Sequence, residues 1–126
     1  MRKDWVDVSF GNLFFTTSGG TPSRKNISYF NGDIPWVKSG ELKNNVITNS
    51  DEFISREALN DSSAKIFPKG TLLLALYGAS IGKLAFLGIK AATNQAVCGI
   101  YENQYVLHKY TYYYLLNKKS LLQILY

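Results

Sequence analysis

Six consecutive residues constrain this chain more than any others: Thr71-Leu72-Leu73-Leu74-Ala75-Leu76. Pro68-Lys69-Gly70 closes the run on one side and Tyr77-Gly78 on the other. Between such turn signals the run has the length of a strand, and its unbroken apolar character predicts a strand buried on both faces. The chain has the material to cover it. Apolar residues are 46% of the 126, including 9 Tyr, 7 Phe and 2 Trp, and only 18% are charged. That is one domain with a real core and not a disordered tail.

The remaining pattern is of short elements. Trp5 to Val8 alternates like a strand, and Ser9 caps a helical turn through Leu13. Phe14 to Ser18 is rich in strand formers and stops at Gly19-Gly20. Asn31-Gly32-Asp33 is a turn. Ile34 to Lys38 is a short strand, with Pro35 placing its start at a sheet edge. Ser39 to Leu42 is a turn or one helical turn, and Val46 to Thr48 a further strand. Ser55 is a helix N-cap for Arg56 to Asn60, with Asp51, Glu52, Glu57 and Asp61 near that helix start or on its solvent side. Leu84 to Leu87 and Ala96 to Tyr101 complete the strands. From Tyr105 the spacing of Val106, Tyr110, Tyr113, Tyr114 and Leu121 predicts a helix with one apolar face. The expected class is α+β: a mixed, mostly short-stranded β core with short helices and a C-terminal helix.

Several chemistries are excluded early. There is one cysteine, Cys98, and one histidine, His108. A zinc site lacks ligands, an internal disulfide is impossible, and any histidine-dependent hydrolase would depend on His108 alone. Cys98 between Val97 and Gly99 is a small core residue. No apolar run reaches 18 residues, so no membrane span is expected, and no secretory signal follows the basic start. A cytoplasmic protein without cofactor or structural metal is the expectation.

The net charge is +5, and it is unevenly placed. Residues 1–61 hold seven basic and eight acidic side chains; residues 62–126 hold seven lysines and Glu102 as the one acid. A basic half-chain suits a polyanion. Tyr77-Gly78-Ala79-Ser80-Ile81-Gly82-Lys83 could bring backbone N–H groups to a phosphate, with Lys83 as counter-charge. It is not an ATP loop, because its glycines are four apart and Leu84 follows the lysine. Thr93-Asn94-Gln95 carries two amides able to read a base edge. Lys38, Ser39 and Gly40 follow the aromatic anchor Trp36. Thr21, Ser23, Arg24 and Lys25 form a polar, basic loop of phosphate donors. Each of these segments is equally an ordinary turn or solvated loop. One enzymatic pattern competes: Asp33 with Glu41 and Lys43 loosely matches the carboxylate pair and lysine of metal-dependent nucleases.

Taken in order, Ser18-Gly19-Gly20-Thr21-Pro22-Ser23, Gly32-Asp33-Ile34-Pro35-Trp36-Val37, Phe67-Pro68-Lys69-Gly70-Thr71-Leu72-Leu73, Tyr77 to Lys83 and Thr93-Asn94-Gln95-Ala96-Val97 resemble a target recognition domain from the specificity subunit of type I restriction–modification enzymes. The resemblance runs from Trp5 to about Leu116. It implies a non-catalytic reader of double-stranded DNA. It further implies one half of a bipartite target, read on behalf of methylation and restriction subunits that supply the adenine and ATP chemistry. The implied DNA-binding set is Thr21, Ser23, Arg24, Lys25, Lys38, Ser39, Gly40, Tyr77, Gly78, Ser80, Lys83, Asn94 and Gln95. The family carries two such domains joined by long helices. The expectation here is one recognition domain over residues 1–104 and a helix over 105–126 leading toward a spacer helix. That arrangement suggests a fragment, a truncated product or a half-subunit. An inert remnant acting only in protein interaction is the remaining alternative.

Overall fold

The computed structural model describes residues 16–102 and, beyond them, Tyr112, Leu115 and Leu116. The central apolar run forms β6 (Leu72–Ala75), all four residues of which are buried. It lies inside a five-stranded sheet of order β1 (Thr16–Ser18), β9 (Val97–Ile100), β6, β7 (Leu84–Leu87), β3 (Asn45–Ile47). All its pairings are antiparallel except β3 with β7. A second sheet has the order β4 (Glu52–Ile54), β2 (Ile34–Val37), β8 (Ala91–Thr93), β5 (Ile66–Phe67). There β2 and β8 run parallel.

The period-two alternation of the strands explains the layering. Leu73 and Ala75 of β6 point inward, meeting Val37, Phe67 and Ala91 of the second sheet in one core. Leu72 and Leu74 point the other way, against Leu84, Ile100 and the helical residues Leu115, Tyr112 and Leu116. The outer face of the second sheet buries Ile34, Trp36, Ile54 and Ala92 beneath Ala58 and Leu59 of the short helix α1 (Arg56–Asn60). Tyr29 and Phe30 of a 3₁₀ turn, Ile27–Phe30, complete that cover. Two sheets back to back, each with helical cover, form the mixed α+β architecture expected, and β6 is buried on both faces as its sequence demands.

Several elements differ from expectation. Pro35 does not put its strand at an edge: β2 sits between β4 and β8. The proline is tolerated because the parallel ladder to β8 begins at Trp36, one residue past it. Strand β3 starts one residue earlier than expected, and β9 is Val97–Ile100, shorter at both ends. Glu52 belongs to β4, which the sequence reading did not foresee, and not to the helix start. Strands β5 and β8 were not foreseen either. Ser55 does cap α1, its Oγ accepting from the Ala58 N–H at 3.1 Å. The elements expected over Trp5 to Leu13, His108 and the apolar face Val106, Tyr110, Tyr113, Tyr114 and Leu121 lie outside the described residues. The three described residues of that helix form a different set, and Tyr112 stacks on Phe86 at 5.2 Å.

Candidate nucleic-acid interface

The strand directions gather most of the singled-out segments at one end of the molecule. At that end β1, β2, β6 and β8 finish, while β3, β4, β7 and β9 begin. Backbone hydrogen bonds tie the loops there together. Gly19 N donates to Val97 O (3.1 Å), Gly20 N to Thr93 O (2.9 Å), Asn94 N to Val37 O (3.0 Å) and Leu76 N to Ala96 O (2.8 Å). The Trp36 indole N–H donates to Gly20 O at 3.1 Å. Gly19 is required by this close approach: a Cβ there would collide with Thr93 Oγ1 and the Thr93 carbonyl.

Within this junction the residues divide. Thr93 is fully buried, and the Asn94 Oδ1 accepts from Ala96 N at 3.3 Å, closing its own turn. Gln95 is exposed and hydrogen-bonded to the Thr21 hydroxyl across a sequence separation of 74. In the β6–β7 loop Gly82 N donates to Ala75 O, Ile81 N to Gly78 O and Lys83 N to Ser80 O. Those three N–H groups are spent inside the loop, and Gly78 and Gly82 take φ of +88° and +84° to make its turns. What the loop offers outward is exposed Tyr77 and Gly78, with half-buried Ser80 and Lys83 beside them. Ser23 is exposed and its Oγ accepts from Lys25 N at 3.3 Å. Ser39 and Gly40 sit in a 3₁₀ turn, Ser39–Glu41.

Arg24 and Lys38 meet on one carboxylate. Arg24 grips Glu52 with both nitrogens, Nη1 to Oε1 at 2.7 Å and Nη2 to Oε2 at 3.0 Å. Lys38 Nζ reaches Oε2 at 2.8 Å. The hydrogen bonds from Arg24 and Lys38 hold the Glu52 carboxyl down at about 2, and both cations are raised in return. The Arg24 guanidinium also lies over Phe30 at 4.3 Å and Trp36 at 5.2 Å.

The nuclease grouping is not assembled. Asp33 precedes β2 and Glu41 follows it, so the strand separates them. Both Glu41 oxygens serve the backbone, accepting from Lys38 N at 2.8 Å and Asp51 N at 3.2 Å. Among the described residues no three His, Cys, Asp or Glu side chains converge as a metal site would need. Cys98 is half-buried, and burial pushes its thiol up, in keeping with a packing residue.

Two cations at this end were not singled out as DNA contacts. Lys43 precedes Asn44, whose Oδ1 accepts from Leu84 N at 3.0 Å and whose N donates to Leu84 O at 2.7 Å, next to Lys83. Lys65 Nζ donates to Thr17 Oγ1 and Ser18 O. No local sequence signal marks either as a DNA contact: Lys43 is placed by β3 pairing with β7 within the first sheet, and Lys65 by its bonds from the second sheet to β1. Among the described residues the end thus carries Arg24, Lys25, Lys38, Lys43, Lys65 and Lys83 against Glu41, Asp51 and Glu52. The opposite end, again among the described residues, carries Arg56, Lys69 and Lys90 against Asp33, Glu57 and Glu102.

A family model, the type I restriction modification DNA specificity domain, matches residues 2–125. This chain belongs to that family. The specificity-domain match is supported by curated relatives. The type I restriction enzyme MjaIX specificity subunit of Methanocaldococcus jannaschii is 35% identical over 114 residues, covering 88% of this chain and 26% of that protein. The EcoR124I/EcoR124II specificity subunit of Escherichia coli is 28% identical over 99 residues, covering 75% of this chain and 24% of that protein. The chain therefore spans about a quarter of the length of the curated relatives it matches. The fold agrees as well. The HsdS subunit from Thermoanaerobacter tengcongensis superposes with a TM-score of 0.71 over 89% of this chain and 27% of that one, at 14% identity. A chain from a type I R-M system complex gives 0.72 over 94% and 29%, also at 14%. The chain is thus a DNA specificity domain of the type I restriction modification class, and nothing favours the nuclease or inert-remnant alternatives. No helix among the described residues is long and apolar enough to cross a membrane.

Proposed function

We propose that this specificity domain reads duplex DNA with the end that gathers Thr21, Arg24, Lys25, Lys38, Ser39, Tyr77, Lys83 and Gln95. The observation that carries this is the convergence of four loops, distant in sequence, on one end where, among the described residues, six cations stand against three carboxylates, while the opposite end shows no such excess. Exposed side chains with amide, hydroxyl and phenol groups are of the kind that contact base edges, and the lysines of the kind that contact phosphates. Ser23, Gly40, Gly78, Ser80 and Asn94 complete the proposed surface, Asn94 mainly by shaping the turn that presents Gln95.

In this reading the domain recognises one half of a bipartite target for methylation and restriction subunits. It works in the cytoplasm, with residues 1–104 as the reading unit and 105–126 as the helix toward a spacer. Affinity comes mainly from phosphate contacts, so an isolated domain binds near the non-specific range of roughly 10⁻⁴–10⁻⁶ M. Fluorescence anisotropy of a labelled duplex against salt tests it. Binding that weakens steeply with salt is expected; a flat response overturns DNA binding at this end. Selection from a random duplex pool tests the reading of bases: Gln95→Ala is expected to relax the enriched sequence, and an unchanged enrichment removes Gln95 from base readout.

A further inference from the structure

We propose that Glu52 is a specificity-determining residue of this end: it holds Arg24 and Lys38 in check so that they do not bind phosphate indiscriminately. The inference rests on the DNA-reading function proposed above. Three observations support it. One carboxylate takes three charge-assisted hydrogen bonds from two cations, at 2.7, 3.0 and 2.8 Å. The cluster is accessible, with side-chain exposures of 56% for Arg24, 34% for Lys38 and 25% for Glu52, so a phosphate can approach it. The guanidinium carbon lies 4.3 Å from the Phe30 ring centre and 5.2 Å from that of Trp36, an aromatic support that Arg24 has besides the carboxylate.

A half-exposed ion pair adds little to folding, and Arg24 already has its aromatic platform. The carboxylate's larger effect is on charge. Two cations sharing one anion present a single net positive charge to an approaching polyanion instead of two. Glu41 and Asp51 stand close behind, Glu41 accepting the backbone N–H of both Lys38 and Asp51. A phosphate must therefore compete with Glu52 for the same N–H groups. Only a duplex seated closely enough to make the other contacts gains enough to win. Mixed-sequence DNA, held loosely, does not.

The test uses the whole chain and a fluorescein-labelled duplex of mixed sequence, with anisotropy read from low to moderate potassium chloride at pH 7. Glu52→Gln and Glu52→Ala are both expected to bind about tenfold tighter than the wild type at low salt. Their log affinity should fall with log salt more steeply by about one to two, one for each phosphate newly neutralised. Adding Arg24→Gln and Lys38→Met to Glu52→Gln should remove that gain. A second set leaves Glu52 in place and so does not depend on how its variants fold. Arg24→Gln or Lys38→Met alone should cost less than Lys83→Ala, since their charges are already held. Equal or weaker binding by both Glu52 variants, or single cation variants that cost as much as Lys83→Ala, overturns the proposal while leaving DNA reading intact. A wild-type chain that does not bind DNA at low salt overturns both.

Discussion

At Gly19 the end of β1 lies against Thr93 and Asn94 so closely that a methyl group has nowhere to go. Gly19→Ala is expected to cost about 2 kcal/mol or more, as overpacking in a tight site does, and a urea titration reads it directly. Gly40→Ala is the control: open space surrounds that position, and its midpoint should move by less than about 0.5 kcal/mol. The sequence shows both motifs, Ser18-Gly19-Gly20 and Thr93-Asn94-Gln95, but not that each is the other's partner. Their adjacency is made by strand pairing across more than seventy residues, which no local pattern encodes. Glu52 was misplaced for the same reason: as an acid near a capped helix it reads as a dipole partner, and only β4 pairing with β2 brings it to Lys38. Its depressed carboxyl carries a sign that can be checked. A carboxylate with an ordinary value near 4.5 in the unfolded chain and about 2 when folded stabilises fully above pH 4.5. That contribution fades as pH falls toward 2. Because the pair is partly exposed, the contribution is about 1 kcal/mol. The stability difference between wild type and Glu52→Gln should therefore shrink between pH 5 and 2 in urea titrations. A constant difference would mean the ion pairs contribute nothing.

At the scale of elements, legibility follows how much of the folding information is local. The α1 boundaries and Ser55 cap are local and were read correctly; Ser55→Ala should cost about 1 kcal/mol. The β6 run is legible because burial on both faces leaves its composition no alternative. Leu73 lies in the inter-sheet core at 0% exposure, and Leu73→Ala is expected to cost about 3 kcal/mol by transfer and cavity terms together. Thermal melting followed by circular dichroism measures it. The two- and three-residue strands β5, β8 and β4 were missed because so short a segment has too few positions to show alternation. Ile66-Phe67 and Ala91-Ala92-Thr93 become strands only through their neighbours in the second sheet. Pro35 misled in the other direction. Its missing N–H argues for an edge, yet β2 is internal, since the ladder to β8 starts one residue later.

For the whole molecule, the charge asymmetry changes meaning. Along the sequence it divides at about residue 61; in space, among the described residues, the cation excess lies at one end of the strands. Lys69 and Lys90 belong to the basic half of the sequence but sit at the far end, in the turns before β6 and β8. Lys43 belongs to the acidic half and sits beside Lys83. A four-residue strand separates the ends by about 13 Å, while the screening length at 0.1 M salt is about 10 Å. Far-end lysines therefore contribute little to holding DNA at the near end. Lys43→Ala and Lys83→Ala should each weaken duplex binding similarly for all sequences and lower the salt slope by about one. Lys69→Ala and Lys90→Ala, which remove the same formal charge, should leave both nearly unchanged. Anisotropy titrations of the four variants at three salt concentrations decide between a surface and a mere excess of charge. Four equal losses would show that DNA responds to net charge alone, and the end-on interface would be wrong.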